Sequence, residues 1–359
     1  MQRPAFAIVA LVLAGCAESP VSLAPSASAS SSASPVESLP ASVAPPASVS
    51  PLPSASEEAD PVYELATYPV VAGSRPHDVA PAADGGVWYT GQGNGTLGWL
   101  DPETGDVREV ALGPGSAPHG VIVGPDDAAW VTDGGLNAIV RVDAETLEIT
   151  TFPLDVPDAN LNTAAFDGDG ILWFTGQNGW CGRLDPSTGQ IRTFPAPRGA
   201  GPYGIAAMPD GAVVYSSLAG SYLGFVDRAS GDVEVVDTPT PGGGARRVWS
   251  DSSGRLWVTE WFAGNLAAYD PADGSWEEWR LPGENPQPYA VYVDEADAVW
   301  VTDFGGNALH RFQPTTESWT TFDHDSSPAN VRQLLGRPGE VWGAESAADR
   351  LVVVRRVDR

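Results

Sequence analysis

The sequence predicts an all-β fold, a seven-bladed β-propeller whose last blade is closed by an N-terminal strand, and three observations carry that reading. From residue 61 onward one pattern recurs around an anchor at Trp88, Trp130, Trp173, Val214, Trp257, Trp300 and Trp342, spaced by 41 to 43 residues. Each repeat holds four short strand-like runs separated by Gly, Pro, Asn and Asp turns, which is the signature of a propeller blade. The seventh repeat reaches Arg359 with only three such runs, whereas residues 63–69, ahead of the first repeat, resemble the fourth strands of the others. Closing the ring with that segment removes an exposed sheet edge.

The chain before the repeats is of a different kind. Met1-Gln2-Arg3 gives a short cationic start, and residues 4–13 form an apolar run too short to cross a bilayer as a helix. The run ends in Leu13-Ala14-Gly15-Cys16, which resembles the lipobox of bacterial lipoproteins, whose signal is cleaved before the Cys and whose Cys receives a lipid. Residues 1–16 are therefore expected to be a lipoprotein signal with lipidation at Cys16. The alternative is an ordinary secretory signal cut nearby. Both place the protein outside the cytoplasm, and the lipid would be its only tie to a membrane. Lipidation of Cys16 leaves Cys181 alone, so no disulfide is expected. Residues 17–60 are rich in Ser, Ala, Pro and Val, have no aromatic residue, and cannot bury a core. As a flexible tether they would span roughly 35–40 Å.

Residues 61–359 carry the repeats. Each begins with a small apolar run such as Val121-Ile122-Val123, followed by a Gly/Asp turn and the anchor strand. A Gly/Asn loop and a third strand follow, then an Asp-Pro-x-Thr-Gly type turn and a fourth strand. Fourth strands are expected at 106–112, 148–154, 190–196, 232–238, 275–281 and 317–323. The Asp-Pro-x-Thr-Gly segments and Asp167-Gly168-Asp169-Gly170 are read as turns, because Asp bonds its own backbone there, and not as metal loops. A formal net charge of −27 argues against a nucleic-acid partner, whose phosphates need a Lys/Arg surface. A monomer with a small-molecule or peptide ligand is expected.

The first strand of each blade lines the channel and the second returns antiparallel, so the start of one meets the end of the other at a single face. Eleven residues before each anchor stand His77, His119, Asn162, Tyr203, Arg246, Tyr289 and Val331. Three after it stand Gly91, Asp133, Gly176, Ser217, Glu260, Asp303 and Glu345. Polar and aromatic residues so concentrated at one mouth are what a binding site needs. In residues 117–133, a hairpin centred near Asp126 would set His119 opposite Asp133. Arg246 and Glu260 would be cross-strand neighbours, most simply a structural ion pair. Loop residues Trp180, Tyr222, Trp261, Phe262 and Phe304 would grip an apolar or aromatic ligand beside Asn162, Tyr203, Arg246 and Tyr289. His310 and His324 fall outside these positions and read as surface residues.

The segments Pro-His-Gly-Val…Trp-Val-Thr-Asp (118–133), Pro-Tyr-Gly-Ile-Ala-Ala-Met-Pro-Asp-Gly (202–211) and Leu-Trp-Val-Thr-Glu-Trp-Phe-Ala-Gly-Asn-Leu (256–266) resemble the virginiamycin B lyase (streptogramin lyase) family. The resemblance spans about 290 residues. It implies a seven-bladed propeller that linearises cyclic depsipeptide antibiotics by Mg²⁺-dependent elimination across the ester, an antibiotic-resistance activity. The family's two functional histidines, in Pro-His motifs one blade apart, match His77 and His119, and its acid at the end of the following strand matches Asp133. On that resemblance His119 would be the base, oriented by Asp133, and His77 would act near the leaving ester. The family has Glu where this chain has Ala117, and Glu at the position of Asp133. A metal site would then draw on Asp133 with Glu260, Asp303 or Glu345. Two other functions fit the same mouth: a non-catalytic module for a peptide, glycan or cell-wall fragment, and a metal-dependent hydrolase or lactonase.

Overall fold

A computed structural model describes residues 61–357. The signal segment, Cys16 and residues 17–60 lie outside the described residues. Among the described residues, twenty-eight strands form seven four-stranded antiparallel sheets. The inner strands of blades 1 to 7 are Pro76–Pro81, Pro118–Val123, Leu161–Phe166, Pro202–Ala207, Ala245–Ser250, Pro288–Val293 and Val331–Arg337. Each touches the next and the seventh touches the first, so the ring is closed. The outer strand of blade 7 is Val62–Pro69, paired antiparallel with Arg350–Val357, as expected from the sequence. The other outer strands fall within about one residue of their expected bounds.

The repeat is legible in the packing. Seven apolar clusters form, one at each junction between neighbouring blades, and each anchor side chain packs against the following blade. A four-stranded blade cannot bury both of its faces alone, and its neighbours do this for it. Five anchor tryptophans are also tied to the turn before them: the indole N–H of Trp130, Trp173, Trp257 and Trp300 donates to Asp126, Asp167, Asp251 and Asp294, and that of Trp342 to Glu340. The Asp-Pro-x-Thr-Gly segments are turns, with the carboxylates of Asp101, Asp143 and Asp185 accepting from backbone N–H groups two residues on.

Every inner strand carries a bulge two to three residues from its start. There, two residues of the inner strand face one of the second strand, and a bulge of this kind re-aims side chains at a functional rim. The opposing residue is Thr90, Thr132, Thr175, Ser216, Thr259 and Thr302 in blades 1 to 6, and Ala344 in blade 7. In five blades this hydroxyl accepts from the N–H of the second bulge residue. Five also donate to the carbonyl of the first bulge residue of the next blade, among them Thr90 to His119 and Thr132 to Asn162. The bulge thus turns two residues per blade toward the channel, and a buried hydroxyl stitches them to the neighbouring blade.

Candidate functional site

The first bulge residues are His77, His119, Asn162, Tyr203, Arg246, Tyr289 and Arg332, and the second are Asp78, Gly120, Thr163, Gly204, Arg247, Ala290 and Gln333. The first row matches the mouth positions expected from the sequence except in blade 7. There the hairpin is one residue tighter, which places Arg332, not Val331, at the ring position.

The bulge overturns the expected pairing of His119 with Asp133. The ladder pairs Asp133 with Pro118 and Thr132 with Gly120, so His119 is the residue without a cross-strand partner. Asp133 instead accepts from Ser116 Oγ (2.5 Å), Ala117 N (2.9 Å) and Leu136 N (2.9 Å), and so holds the loop that enters the inner strand. The same slip separates Arg246 from Glu260, which lies opposite Ala245, and no ion pair forms between them. The other ring acids also serve their own blades. Asp303 accepts from Gln287 N, Gly305 N and His310 Nε2. Glu345 accepts from Ser326 Oγ and Arg350, and lies 2.9 Å from His324 Nδ1. Asp133, Glu260, Asp303 and Glu345 belong to four different blades, and none of them joins the close group of three or more potential metal ligands found among the described residues. His310 and His324 are not surface residues: their side chains are 3% and 2% exposed, buried beside these acids.

What the fold does gather is a chain of buried groups across the channel mouth. His77 Nδ1 lies 2.7 Å from Asp78 Oδ1. The His77 and His119 rings lie in contact, tilted 45° to each other with centroids 3.8 Å apart. Asn162 Nδ2 donates to His119 Nε2 (3.2 Å), and Asn162 Oδ1 accepts from Thr163 Oγ1 (2.8 Å). Thr163 Oγ1 in turn accepts from Arg247 Nη1, while Arg247 Nη2 lies 3.3 Å from Asp78 Oδ1 and so closes the circuit. Asp78 and Arg247 are 1% and 4% exposed. Neither was read as a site residue from sequence. The signal that could have found them is the row ten residues before the anchors, in which Asp78, Arg247 and Arg332 are the charged members.

These partners set the protonation states. An imidazole donating from Nδ1 to the Asp78 carboxylate leaves the lone pair of His77 on Nε2. His119 accepts at Nε2 and so carries its proton on Nδ1, which is buried without a partner. Burial, and then the positive charges of Arg332 and Arg247, hold His77 well below the usual imidazole range. Burial and the neighbouring His77 do the same to His119. Both rings are therefore neutral near pH 7. Burial pushes the Asp78 carboxyl up, against the pull of Arg247.

The other side of the same ring is cationic and aromatic. The Arg246 guanidinium carbon is 3.6 Å from the Tyr289 ring centroid and 4.5 Å from that of Trp261. Arg246 Nη2 donates to the Tyr203 hydroxyl (2.9 Å), which is itself hydrogen-bonded to that of Tyr289. Phe304 stacks on Tyr289 with centroids 4.8 Å apart, and Phe262 is 67% exposed. Trp180 and Tyr222 are not part of this group. Trp180 opens a third strand and packs in the junction of blades 2 and 3, and Tyr222 is fully buried with its hydroxyl 3.1 Å from that of Tyr215. Beyond the second bulge row the channel continues as a cavity of about 360 Å³, lined by Val121, Ile122, Phe166, Ala206 and Trp249.

The Mg²⁺ implied by the family resemblance does not fit these residues. Mg²⁺ takes near-octahedral oxygen ligands. Among the described residues the one close cluster of His and carboxylate donor atoms is His77, Asp78 and His119, all within 4.8 Å of one another. It offers two nitrogens and a single carboxylate, and the Arg247 guanidinium already faces that carboxylate.

Comparison with known proteins adds the following. A sequence model described as the Virginiamycin B lyase family matches residues 58–272. No curated protein matches the chain. Among solved structures, the virginiamycin B lyase of Staphylococcus aureus superposes with a TM-score of 0.77 at 20% identity, covering 82% of this chain and 100% of that one. A catalytically inactive histidine-to-alanine variant of that lyase, solved with quinupristin, gives the same values. YCF48 bound to D1 peptide superposes with a TM-score of 0.63 at 18% identity, covering 84% of this chain and 97% of that one.

Proposed function

This chain belongs to the virginiamycin B lyase family, and from that premise we propose that it opens a cyclic depsipeptide at its ester by elimination, with the His77–Asp78 pair as base. The observation that carries the reading is the pair of neutral, adjoining imidazoles with complementary tautomers. His77 presents a lone pair at Nε2, and Asp78 would stabilise the imidazolium formed when it takes a proton from the carbon α to a carbonyl. His119 presents the Nδ1 proton, an unpartnered buried donor suited to the carbonyl oxygen on which charge develops. Asn162, fixed by Thr163, keeps His119 in that tautomer. This reverses the assignment expected from the sequence, in which His119 was the base and Asp133 its partner.

The test is the mass of the product formed from a streptogramin B. Elimination opens the ring without changing the mass and leaves a new alkene, whereas hydrolysis adds one water. A product heavier by water would end the lyase reading in favour of a hydrolase.

A second reading, a non-catalytic ligand-binding propeller, is favoured by one feature. The histidines are 2% and 7% exposed, and Arg246 of the same ring packs on Trp261, which meets Phe304 edge to face, an aromatic group suited to an aromatic peptide. On that reading, His77→Ala would bind the depsipeptide as the parent does, and neither would open it. We further propose that Cys16 is lipidated and that residues 17–60 tether the propeller outside the cytoplasm. Metabolic labelling with a fatty acid, lost in Cys16→Ser, tests this.

A further inference from the structure

Three arginines converge on one ring. The guanidinium carbons of Arg246, Arg247 and Arg332 lie 3.6, 6.0 and 5.9 Å from the Tyr289 centroid. Asp78 is the single carboxylate among the described residues within ion-pair distance of any of them, and it faces Arg247. Arg246 and Arg332 have none. Arg332 Nε donates to Ser346 Oγ, and Arg246 Nε is buried without a partner. In a chain of 46 acidic and 19 basic residues, two half-buried guanidiniums left without a counter-charge are not a product of composition. They make a positive focus inside a negative protein, which draws anions toward it. Burial alone would raise the Tyr289 hydroxyl, yet these arginines, with the hydrogen bond from Tyr203, pull it below the usual phenol range. Stacking on Tyr289 and Trp261 fixes the plane of Arg246, and a fixed guanidinium fork matches a carboxylate in two parallel hydrogen bonds.

We infer that Arg246 and Arg332, with the Tyr203–Tyr289 hydroxyls, form a carboxylate-binding site, and that these guanidiniums supply positive charge at a mouth whose described donor cluster does not fit Mg²⁺. The ligand class is a peptide bearing a free carboxylate next to an aromatic group. Assigning that carboxylate to the opened ester rests on the lyase reading above. In such an elimination, His77 Nε2 takes the α proton, and the C–H electron pair becomes the Cα–Cβ π bond. The Cβ–O bond breaks, and its electron pair leaves on the carboxylate. The imidazolium then returns its proton to solvent. The anion appears at the leaving group, which is where a guanidinium fork is suited to receive it.

The experiment is calorimetric titration of the protein, in EDTA, with a streptogramin B opened chemically by base, as its free acid and as the corresponding carboxamide. The acid should bind roughly tenfold to a hundredfold more tightly, the range expected for hydrogen bonds to a charged group. Arg246→Met and Arg332→Met should each shrink that preference, with melting temperatures confirming that the variants fold. Equal binding of acid and amide, no binding of either, or a preference that appears only with added Mg²⁺ would each overturn the inference. Because the probe needs no catalysis, the two readings separate. Ring opening with equal binding keeps the lyase and discards the arginine site. Acid preference without ring opening keeps the site and discards the lyase.

Discussion

Breaking the ion pair at the centre of the ring should be expensive from one side and pH-dependent from the other. Asp78 in blade 1 and Arg247 in blade 5 meet in the channel at 3.3 Å. Asp78→Asn leaves a buried guanidinium that cannot lose its proton. Its remaining partners are Thr163 Oγ1 and the Arg332 carbonyl. Removing one member of a buried pair typically costs about 3–5 kcal/mol. Arg247→Met instead leaves a carboxyl that can protonate, and burial already pushes that carboxyl up. A folded-state value raised above the unfolded one means stability is fully present below the unfolded value, near 4. It is lost as pH rises toward the folded value. Arg247→Met should therefore be mild at pH 4 and approach the cost of Asp78→Asn at pH 8. The double variant Asp78→Leu/Arg247→Met, which leaves no charge behind, should cost less than the larger single change. Urea denaturation followed by tryptophan fluorescence at both pH values measures all of these. Costs that simply add, or an Arg247→Met penalty independent of pH, would refute the reasoning.

Two further outcomes follow from buried titratable groups. His77 and His119 have folded values depressed below the unfolded value of about 6.5. The unfolded chain thus binds more protons once pH falls below 6.5, and the protein should lose up to about 1.4 kcal/mol per pH unit for each histidine. Urea midpoints between pH 7 and pH 5 should show that slope, reduced in His119→Ala. Glu260 is pushed up to about 7, first by burial and then by the neighbouring Glu278. Its ionisation between its unfolded value and about 7 should cost stability, so Glu260→Gln should stabilise the protein by about 1–2 kcal/mol at pH 8 after allowance for solvent screening. At pH 4.5 the same substitution should have little effect, which differential scanning calorimetry can check.

The fold was legible because the blades repeat their instructions: an anchor every 41 to 43 residues, in five blades an acidic side chain that caps it, and in six a hydroxyl two residues beyond it. Even the closing strand could be read, since residues 63–69 look like the strands they replace. The site was half legible. Counting back from the anchors found His77, His119, Asn162, Tyr203, Arg246 and Tyr289, because that distance is fixed by the hairpin. The assumption that failed was an unbroken ladder. One extra residue in each inner strand moved Asp133 and Glu260 away from their expected partners. It also brought Asp78 and Arg247, from blades four apart in sequence, into contact. A bulge that recurs in every blade leaves no variation from which to notice it. The sequence mark of the bulge is the Thr or Ser two residues after the anchor, present in six of seven repeats.

The central claim, that His77 is the base of an elimination, is tested most directly by the turnover of a streptogramin B by the parent protein and by His77→Ala. The account predicts ring-opened product of unchanged mass from the parent. It predicts a fall in kcat of roughly 10²–10⁴ for His77→Ala, the usual contribution of a general base. Full turnover by His77→Ala, or a product heavier by one water from the parent, would contradict it.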